Sequence, residues 1–331
     1  MEELLQVKDL SISFHTYNGE VQAVRNASFD LHRKEVLAIV GESGSGKSVT
    51  MQTVLKLTPC ELKSGQIIFD GKDITHYTDK QMQEIRGSQI GIIFQDAMTS
   101  LNPTMKIGRQ ITESILRHQK VNKAEAKEKA LELLVQVGIN NPEKRYHQYI
   151  HNLSGGMRQR VMIAIALACK PKLLIADEAV SALDVSVQAQ IINLLEELQK
   201  SLHLTMLFIS HDLSVVRCMT DRAVVMYLGK IMEMGPTEHL FGAPAHPYTR
   251  NLIDAVPEPD PDCPPKESTM IGEPPSPMDI PGGCRFHPRC PYAKNVCRRA
   301  QPELTDLGGG HFAACHFPYA CAGAPQTEAE Q

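Results

Sequence analysis

The residues best suited to chemistry form a glycine-rich loop, Gly41-Glu42-Ser43-Gly44-Ser45-Gly46-Lys47-Ser48, which continues into Val49. Glycines let a backbone turn tightly, so that successive N–H groups can converge on phosphate oxygens at the start of a helix. Lys47 would reach the β- and γ-phosphates of a nucleotide, and the Ser48 hydroxyl would bind Mg²⁺. The alternative is a Gly/Ser turn that happens to precede a lysine.

A second group of candidates follows apolar segments further along the chain. Asp177 and Glu178 end one such segment. A strand-end Asp paired with a phosphate loop usually organises Mg²⁺, and Glu178 is placed to polarise a water for attack on the γ-phosphate. A solvated acidic turn is the alternative. His211 follows another apolar segment, where open α/β sheets place ligand contacts, although a lone His at a strand end is more often structural.

Two further segments are candidate ligand contacts. Ser154 can cap a helix, and Gly155 and Gly156 leave backbone N–H groups bare at its start, which is a second anion-binding geometry. Ser-Gly-Gly before a helix is often only a loop. An aromatic ring near the N-terminal strands could stack on a purine. Tyr17 is the candidate and Phe14 the alternative, and a hairpin tyrosine without a ligand fits the sequence equally well.

The elements that must position these residues alternate between strands and helices. An apolar run at 36–40 precedes the glycine loop, and a helix is predicted after it. Buried core strands are predicted at 173–178 and 205–210, and a strand pair within 21–31 follows an Asn18-Gly19 turn. Residues 97–150 change to helical spacing, with Gly138 as a helix C-cap. The pattern indicates an α/β core with a β-rich start and an inserted helical subdomain.

Composition narrows the function classes. The chain has 331 residues, 42% of them hydrophobic and 22% charged, which is ordinary for a globular protein of one or two domains. A net charge of −4 gives no electrostatic reason to expect nucleic acid as a partner. No apolar stretch reaches the roughly 18 residues that span a bilayer, and the N-terminus lacks signal-peptide features. We expect a cytoplasmic protein that meets a membrane only through a partner.

The C-terminal part carries a separate candidate site. Nine prolines within residues 256–281 indicate a stiff linker without regular structure. Beyond it lie four cysteines, separated by five, six and seventeen residues: Cys284, Cys290, Cys297 and Cys315. These are not the close pairs of a typical zinc ribbon, and four such thiolates can hold an iron–sulfur cluster. Free thiols are one alternative, and zinc is another, with help from His287, His311 or His316. A reducing compartment disfavours disulfides.

The ordered set of motifs resembles the ATPase of an ABC transporter over about residues 4–255. The set consists of the glycine loop, Gln95 after a strand, Leu153-Ser154-Gly155-Gly156, Asp177-Glu178, Ser181-Ala182-Leu183-Asp184 and His211. A finer resemblance to the ATPases of peptide, dipeptide and nickel importers rests on three stretches. They are Phe94-Gln95-Asp96-Ala97-Met98-Thr99-Ser100-Leu101-Asn102-Pro103, Asp184-Val185-Ser186-Val187-Gln188-Ala189-Gln190 and Ala245-His246-Pro247-Tyr248-Thr249-Arg250.

The resemblance implies roles for these residues. Gln95 would bind Mg²⁺ with Ser48 and Asp177, sense the γ-phosphate and couple to the membrane subunit. Glu178 would act as the general base, and His211 would contact the γ-phosphate. In the same family, Ser154, Gly155 and Gly156 would clamp ATP bound on an opposing ATPase subunit. Asp184 would lie in the loop that crosses the interface between the two subunits.

The resemblance also implies an architecture. Residues 1–255 would form a P-loop ABC nucleotide-binding domain with a RecA-like α/β core, an antiparallel β subdomain and a helical subdomain at about 97–165. The Pro-rich linker at 256–281 would lead to a small irregular Cys-rich domain at 282–322 and a disordered tail at 323–331. This C-terminal extension implies a [4Fe–4S] cluster in some peptide-importer ATPases, and we favour that cluster for the four cysteines.

The implied function is the ATP-hydrolysing subunit of an importer of peptides or a related substrate such as nickel. Its partners would be a second ATPase subunit, two integral membrane permeases and an extracytoplasmic binding protein, which would hold it peripherally at the cytoplasmic face of the cell membrane. A soluble ABC ATPase acting in translation or DNA repair is the alternative, disfavoured by the single cassette and the acidic charge. A binding-only module with a degenerate site is disfavoured by the intact catalytic set.

The sequence departs from the family pattern at three places. Ala179 stands where a proline usually follows the catalytic Glu, Lys34-Glu35 replaces the common Gly-Glu, and Met157 occupies the usual glutamine position. None of these changes removes a catalytic group. Ala179 could loosen a turn that helps to aim Glu178, so the departure bears on rate.

Overall fold

The fold is known from a computed structural model, which describes residues 2–17, 19–256 and 270–320. The described chain falls into two compact units. The first unit holds Leu31–Val36, His76–Ile209 and the N-terminal residues up to Leu4, and the second holds Leu5–Asp30, Leu37–Thr75 and the chain from Ser210 onward. Asn18 of the predicted hairpin turn, the predicted tail at 323–331 and much of the predicted linker lie outside the described residues.

The strands follow the predicted order along the chain. They are β1 (Glu3–Thr16), β2 (Gly19–His32), β3 (Val36–Val40), β4 (Glu61–Phe69), β5 (Lys72–Asp73), β6 (Ile90–Ile93), β7 (Leu173–Asp177), β8 (Thr205–Ile209), β9 (Arg222–Tyr227), β10 (Lys230–Pro236), β11 (Thr305–Asp306) and β12 (Phe312–Ala313). The strand pair predicted within 21–31 is wrong, because β2 is one continuous strand. Ala27, Phe29 and Leu31 are buried at the period of two that keeps a single strand on one face.

The helices occupy the predicted helical stretch and the segments between strands. They are α1 (Lys47–Val54), α2 (Asp79–Gln83), α3 (Ala97–Ser100), α4 (Ile107–His118), α5 (Lys123–Gln136), α6 (Pro142–Tyr146), α7 (Gly155–Leu167), α8 (Val185–Leu202), α9 (Leu213–Met219), α10 (Thr237–Gly242), α11 (Pro247–Asp254) and α12 (Asn295–Arg299). Two 3₁₀ turns span Ile150–Asn152 and His287–Arg289. Within the described ranges, no helix combines the length and apolar composition needed to cross a membrane.

The first unit is built on a parallel sheet in which β7 lies between β6 and β8. Ile90 pairs with Leu173, and Leu173 pairs with Thr205. β7 and β8 are buried along their whole length, as expected for a parallel strand covered on both faces. The predicted helical region contains α3 to α6. Gly138, at φ 73°, follows the end of α5, and its left-handed backbone confirms the predicted helix stop.

The second unit contains two sheets. One is antiparallel with strand order β2-β1-β4-β5. In the other, β3 pairs in parallel with β9, β9 forms an antiparallel hairpin with β10, and β12 joins β10 to β11. The pair Glu233 and Ala313 belongs to the β10–β12 ladder, so the cysteine-bearing segment contributes a strand to this sheet.

Candidate functional site

The phosphate loop lies in the second unit between β3 and α1, as predicted. Gly41, Gly44 and Gly46 have φ of 149°, 76° and 100°, a region that side-chain-bearing residues rarely adopt. A Cβ on Gly41 would lie 2.2 Å from the Met226 carbonyl oxygen, and one on Gly46 would lie 2.7 Å from the Ala23 carbonyl oxygen. Glycine is therefore required at both positions by conformation and by space.

The Lys47 side chain folds back over the loop residues that precede it. Its Nζ donates hydrogen bonds to the carbonyl oxygens of Gly41, at 2.7 Å, and Glu42, at 2.9 Å, and the residue is 5% exposed. The Ser45 N–H donates to the Glu42 carbonyl oxygen at 3.2 Å, which closes the turn. Ser48 and Val49 follow in the first turn of α1, where both are half-buried. The Lys47 ammonium group thus lies at the phosphate loop, where its positive charge would neutralise bound phosphate oxygens.

Glu42 has two partners from the C-terminal part of the second unit. Its backbone N–H donates to the Tyr248 hydroxyl oxygen at 2.9 Å. Its carboxylate accepts from Arg289 Nη1 at 2.8 Å and from Nη2 at 3.1 Å. The sequence identified Glu42 only as a member of the loop. Neither Tyr248 nor Arg289 was predicted to contact it, and the only sequence signal was the Ala245–Arg250 stretch used for the resemblance.

The acidic strand end lies in the first unit. Asp177 is the last residue of β7 and is 7% exposed, and Glu178 follows with φ of 46°. Gln95 Nε2 donates to Glu178 Oε2 at 2.9 Å and to Ser181 Oγ at 3.2 Å. Left-handed backbone at a non-glycine residue is strained and is concentrated at functional sites. The hydrogen bond between Gln95 and Glu178 brings together two chain segments that lie far apart in the sequence.

The turn after Glu178 is held by several hydrogen bonds despite the alanine at 179. The Ser181 N–H donates to the Glu178 carbonyl oxygen at 3.1 Å, and the Ser181 hydroxyl donates to the same oxygen at 3.0 Å. Gln159 Nε2 donates to the Ala179 carbonyl oxygen. Ala179 itself is 1% exposed. Backbone bonds and packing, rather than a proline ring, shape this turn.

Ser154 begins α7, as predicted, and its Oγ accepts from the Met157 N–H at 3.4 Å. A cavity of about 570 Å³ in the first unit, here called the signature cavity, is lined by Ser154, Gly155, Gly156, Met157, Arg160, Ser181, Ala182, Leu183, Asp184, Val187 and Gln190. The two helix starts, at Ser154 and Asp184, face this cavity together. A Cβ on Gly156 would lie 2.6 Å from Val187 Cγ1, so glycine is needed for the close approach of α8.

Two predicted contacts lie at the surface of the second unit. Tyr17 is fully exposed at the end of the β1 segment, and Phe14 is half-buried. His211 is exposed two residues before the start of α9. The purine contact of Tyr17 and the phosphate contact of His211 remain predictions. Of the three predicted Mg²⁺ ligands, Ser48 lies in the second unit, and Gln95 and Asp177 lie in the first.

The four C-terminal cysteines line one cavity of about 20 Å³, here called the cysteine cavity, and none of them forms a disulfide. Burial is the main cause that raises the pKa of Cys315 to about 12; a hydrogen bond from the Phe317 N–H opposes it, and the other three cysteines add to it. Burial likewise raises the pKa of Cys284. Four thiols around one cavity are a donor set that a metal or cluster can occupy by displacing protons.

The spacing within the cysteine cavity bears on what would fit. Among the described residues, no three of its sulfur and imidazole nitrogen atoms lie within 4.8 Å of one another. Thiolates on one tetrahedral zinc, with Zn–S bonds of about 2.3 Å, would lie about 3.8 Å apart. His287 and His316 line the cavity, whereas His311 binds the buried Glu233 carboxylate through Nε2 at 2.7 Å. Thiols and imidazoles around one cavity are donors that both zinc sites and iron–sulfur clusters use.

Comparison with known proteins identifies the family. The profile of the ABC transporter family matches residues 24–181, and that of the oligopeptide/dipeptide transporter C-terminal region matches residues 232–297. The oligopeptide transport ATP-binding protein OppD of Bacillus subtilis (strain 168) is 50% identical over 312 residues, which cover 93% of this chain and 87% of OppD. This chain belongs to the ABC transporter family.

Further comparisons agree with this membership. The dipeptide transport ATP-binding protein DppD of the same organism is 47% identical over 319 residues, covering 95% of each chain. The structure of cbiO1 from Clostridium perfringens, part of the ABC transporter complex cbiONQ, superposes with a TM-score of 0.63 at 30% identity, over 73% of this chain and 92% of cbiO1. The predicted α/β P-loop ABC fold is confirmed. As a member of the family, the chain is an ATPase that uses ATP and Mg²⁺ to drive transport.

Proposed function

We propose that this chain energises an importer of di- or oligopeptides, or of a related substrate such as nickel. The observation that carries the proposal is that peptide-transport relatives and a peptide-transporter C-terminal family model both match this chain. Relatives named for oligopeptide and dipeptide transport align over 93% and 95% of its length. The match to an oligopeptide/dipeptide transporter C-terminal region lies at 232–297, beyond the cassette match. A soluble ABC ATPase would share the cassette but has no need of such a region.

Nucleotide binding is assigned to the loop from Gly41 to Val49. Its amides would bind the phosphates of ATP, Lys47 would neutralise the β- and γ-phosphates, and Ser48 would bind Mg²⁺ with Asp177 and Gln95. The buried position of Lys47 against the loop supports this role. Tyr17 would stack on the purine ring.

Hydrolysis is assigned to Glu178 as the general base, with Gln95 and His211 at the γ-phosphate. Support comes from the hydrogen bond between Gln95 Nε2 and Glu178 Oε2 at 2.9 Å, because it orients the carboxylate that would accept a proton from the attacking water. Gln95 would thereby report the state of the γ-phosphate to the membrane subunit.

A second ATPase subunit would complete the site. Ser154, Gly155, Gly156 and Asp184 border the open signature cavity, which could receive the phosphates of ATP held by another subunit. Two subunits, identical or different, would then enclose two ATP molecules, and ATP-dependent closure would drive transport. Two permeases and an extracytoplasmic binding protein would complete the assembly, with this chain peripheral at the cytoplasmic face of the membrane.

The C-terminal segment would hold a [4Fe–4S] cluster through Cys284, Cys290, Cys297 and Cys315. Support comes from the one cavity that all four thiols line. A cluster bound here would supply a redox-active or structural crosslink among four chain positions. We retain the proposed boundaries of 1–255 for the ABC domain, 256–281 for the linker and 282–322 for the cysteine-bearing segment.

The transport assignment is tested by co-purification from membranes solubilised in detergent. We expect the tagged chain to retain integral membrane subunits, and we expect a peptide-loaded binding protein to stimulate ATP hydrolysis by the purified complex. A persistent soluble complex with ribosomes or DNA would instead favour the soluble ATPase.

The cluster assignment is tested by anaerobic purification, visible absorption, and analysis of iron, sulfide and zinc. Cys297→Ser should lose the iron. The matched control Cys218→Ser should keep it, because Cys218 is exposed and lies outside the cavity. One zinc per chain with no iron would overturn the cluster assignment.

A further inference from the structure

A set of buried contacts in the second unit joins the phosphate loop to the cysteine cavity. Arg289 immediately precedes Cys290 and is 6% exposed. Its Nη1 and Nη2 donate to Glu42 Oε2 and Oε1 at 2.8 and 3.1 Å. A guanidinium that binds both carboxylate oxygens restricts the distance and the orientation of its partner, which a lysine ammonium does not. The side chain at the second position of the phosphate loop is therefore held from the C-terminal segment.

The backbone of Glu42 is held as well. Its N–H donates to the Tyr248 hydroxyl oxygen at 2.9 Å. The Tyr248 ring is fully buried, with its centroid 4.7 Å from that of Tyr227 and 5.3 Å from that of Phe286. The Tyr227 hydroxyl in turn accepts from Arg289 Nη1 at 3.4 Å. The backbone of Glu42 thus contacts the aromatic group directly through Tyr248, and its carboxylate is linked to the same group through Arg289.

The opposite side of that group borders the cysteine cavity. Phe286 lies between Cys284 and Cys290 in sequence and lines the cavity with them. The neighbouring Arg285, 2% exposed, donates to the carbonyl oxygen of Leu228. Next to Leu228, the Gly229 N–H donates to the Ser45 carbonyl oxygen at 2.9 Å. A second route therefore leads from the cysteine-bearing segment to the phosphate loop.

We propose that Arg289 is a positioning residue for the phosphate loop, and that through it the nucleotide affinity depends on the state of the cysteine cavity. A rearrangement of the four thiols would move Cys290 and the guanidinium beside it. Glu42 would then lose its side-chain anchor. Because Lys47 donates to the carbonyl oxygen of Glu42, the disturbance would reach the phosphate-binding ammonium. The inference rests on the nucleotide role of the loop, and it holds for any occupant of the cavity.

The first test separates positioning from general stability. Mg-ATP dissociation constants are measured on the full chain, beside its thermal unfolding. Arg289→Met, which keeps an apolar stem, should weaken binding about tenfold, as expected for lost hydrogen bonds to a charged group. Arg289→Lys should fall between this variant and the wild type. The control Arg299→Met, exposed on the same segment, should bind as the wild type does.

A double-substitution cycle then assigns the effect to one contact. Glu42→Gln combined with Arg289→Met should bind no more weakly than the weaker single variant. Affinity within about twofold of wild type in Arg289→Met would overturn the positioning role, as would fully additive losses in the double variant. If the methionine variant unfolds, Arg289→Lys takes its place in the cycle. Wild-type affinity in Arg289→Lys, together with additive losses when it is combined with Glu42→Gln, would also overturn the role.

The last test addresses the cysteine cavity. Cys290→Ser should weaken Mg-ATP binding in the wild-type background and leave it unchanged in the Arg289→Met background. Equal losses in both backgrounds would overturn the link to the cavity. Metal analysis of the same samples separates the two proposals, because dependence on Arg289 without iron would reject the cluster while supporting the coupling.

Discussion

The phosphate loop and the Ser154 segment both present glycine backbone at the start of a helix, yet they differ in burial and in what holds them. In the loop, three glycines have positive φ, Lys47 is 5% exposed, and Glu42 is held through its amide and its carboxylate. In the Ser154 segment, Ser154 and Gly155 are exposed, and the serine is joined to the helix by a side-chain capping bond at 3.4 Å and a backbone bond from the Arg158 N–H at 2.9 Å. An open cavity of about 570 Å³ lies beside it.

Under the proposed function, the loop binds nucleotide within the chain, whereas the Ser154 segment acts on ATP held by a second subunit. Positive-φ glycines and buried partners determine the shape of the loop. The Ser154 segment has a formed helix start that borders the signature cavity together with Leu183 and Val187. Substitutions in the loop should therefore alter nucleotide affinity, and substitutions in the other region should alter turnover.

The largest effect is expected for Glu178→Gln. Removing a general base should lower kcat about 10²- to 10⁴-fold, while the isosteric amide leaves the nucleotide affinity close to that of the wild type. Steady-state ATP hydrolysis and equilibrium nucleotide binding check this. Glu196→Gln, on an exposed carboxylate paired with Lys200 in the same unit, is the control. An undiminished rate would remove Glu178 from the role of base.

Lys47→Ala should act on affinity instead. Loss of a charged donor to phosphate should weaken Mg-ATP binding about 10- to 100-fold, measured by titration calorimetry on the full chain. Lys63→Ala is the matched control, because Lys63 is exposed in the same unit and pairs with Glu20 and Glu61. Retained affinity in Lys47→Ala would break the contrast between the two regions.

Gly156→Val should lower ATP hydrolysis about tenfold without changing the nucleotide affinity of the isolated subunit. The added side chain would collide with Val187 and displace the start of α7 from its cavity, at a cost of about 1–3 kcal/mol. Gly242→Val is the control, because a Cβ there meets no atom within 4 Å. If affinity fell as far as in Lys47→Ala, the Ser154 segment would have to bind nucleotide within one chain.

Ala179→Pro should have the smallest effect, a change in ATPase rate within about threefold. Proline would fix the φ of residue 179 and remove its N–H, whereas the hydrogen bonds that shape this turn use the carbonyl oxygens of Glu178 and Ala179. The measurement is the steady-state rate beside that of the wild type. A tenfold increase would show that the alanine had left Glu178 poorly aimed.

Much of the fold follows from local sequence. The apolar strands β7 and β8, the glycine loop and the helix stop at Gly138 were predicted within a residue or two, because strand period, helix period and glycine conformation act over short distances. The single strand β2 was missed because its buried positions shift by one residue at Asn26, from Val24 to Ala27, where a φ of 47° interrupts the alternation without ending the strand. A turn-forming residue type does not by itself show whether pairing with neighbouring strands continues through that residue.

The sequence by itself determined the family, the phosphate loop and the carboxylates at the end of β7, because each depends on residue types within a few positions. Only the tertiary structure decided that Arg289 binds Glu42, which lies 247 residues away, and that Gln95 binds Glu178, 83 residues away. Hydrogen bonds require placement to within a few tenths of an ångström. Such placement comes from the packing of whole elements, and no local pattern encodes it.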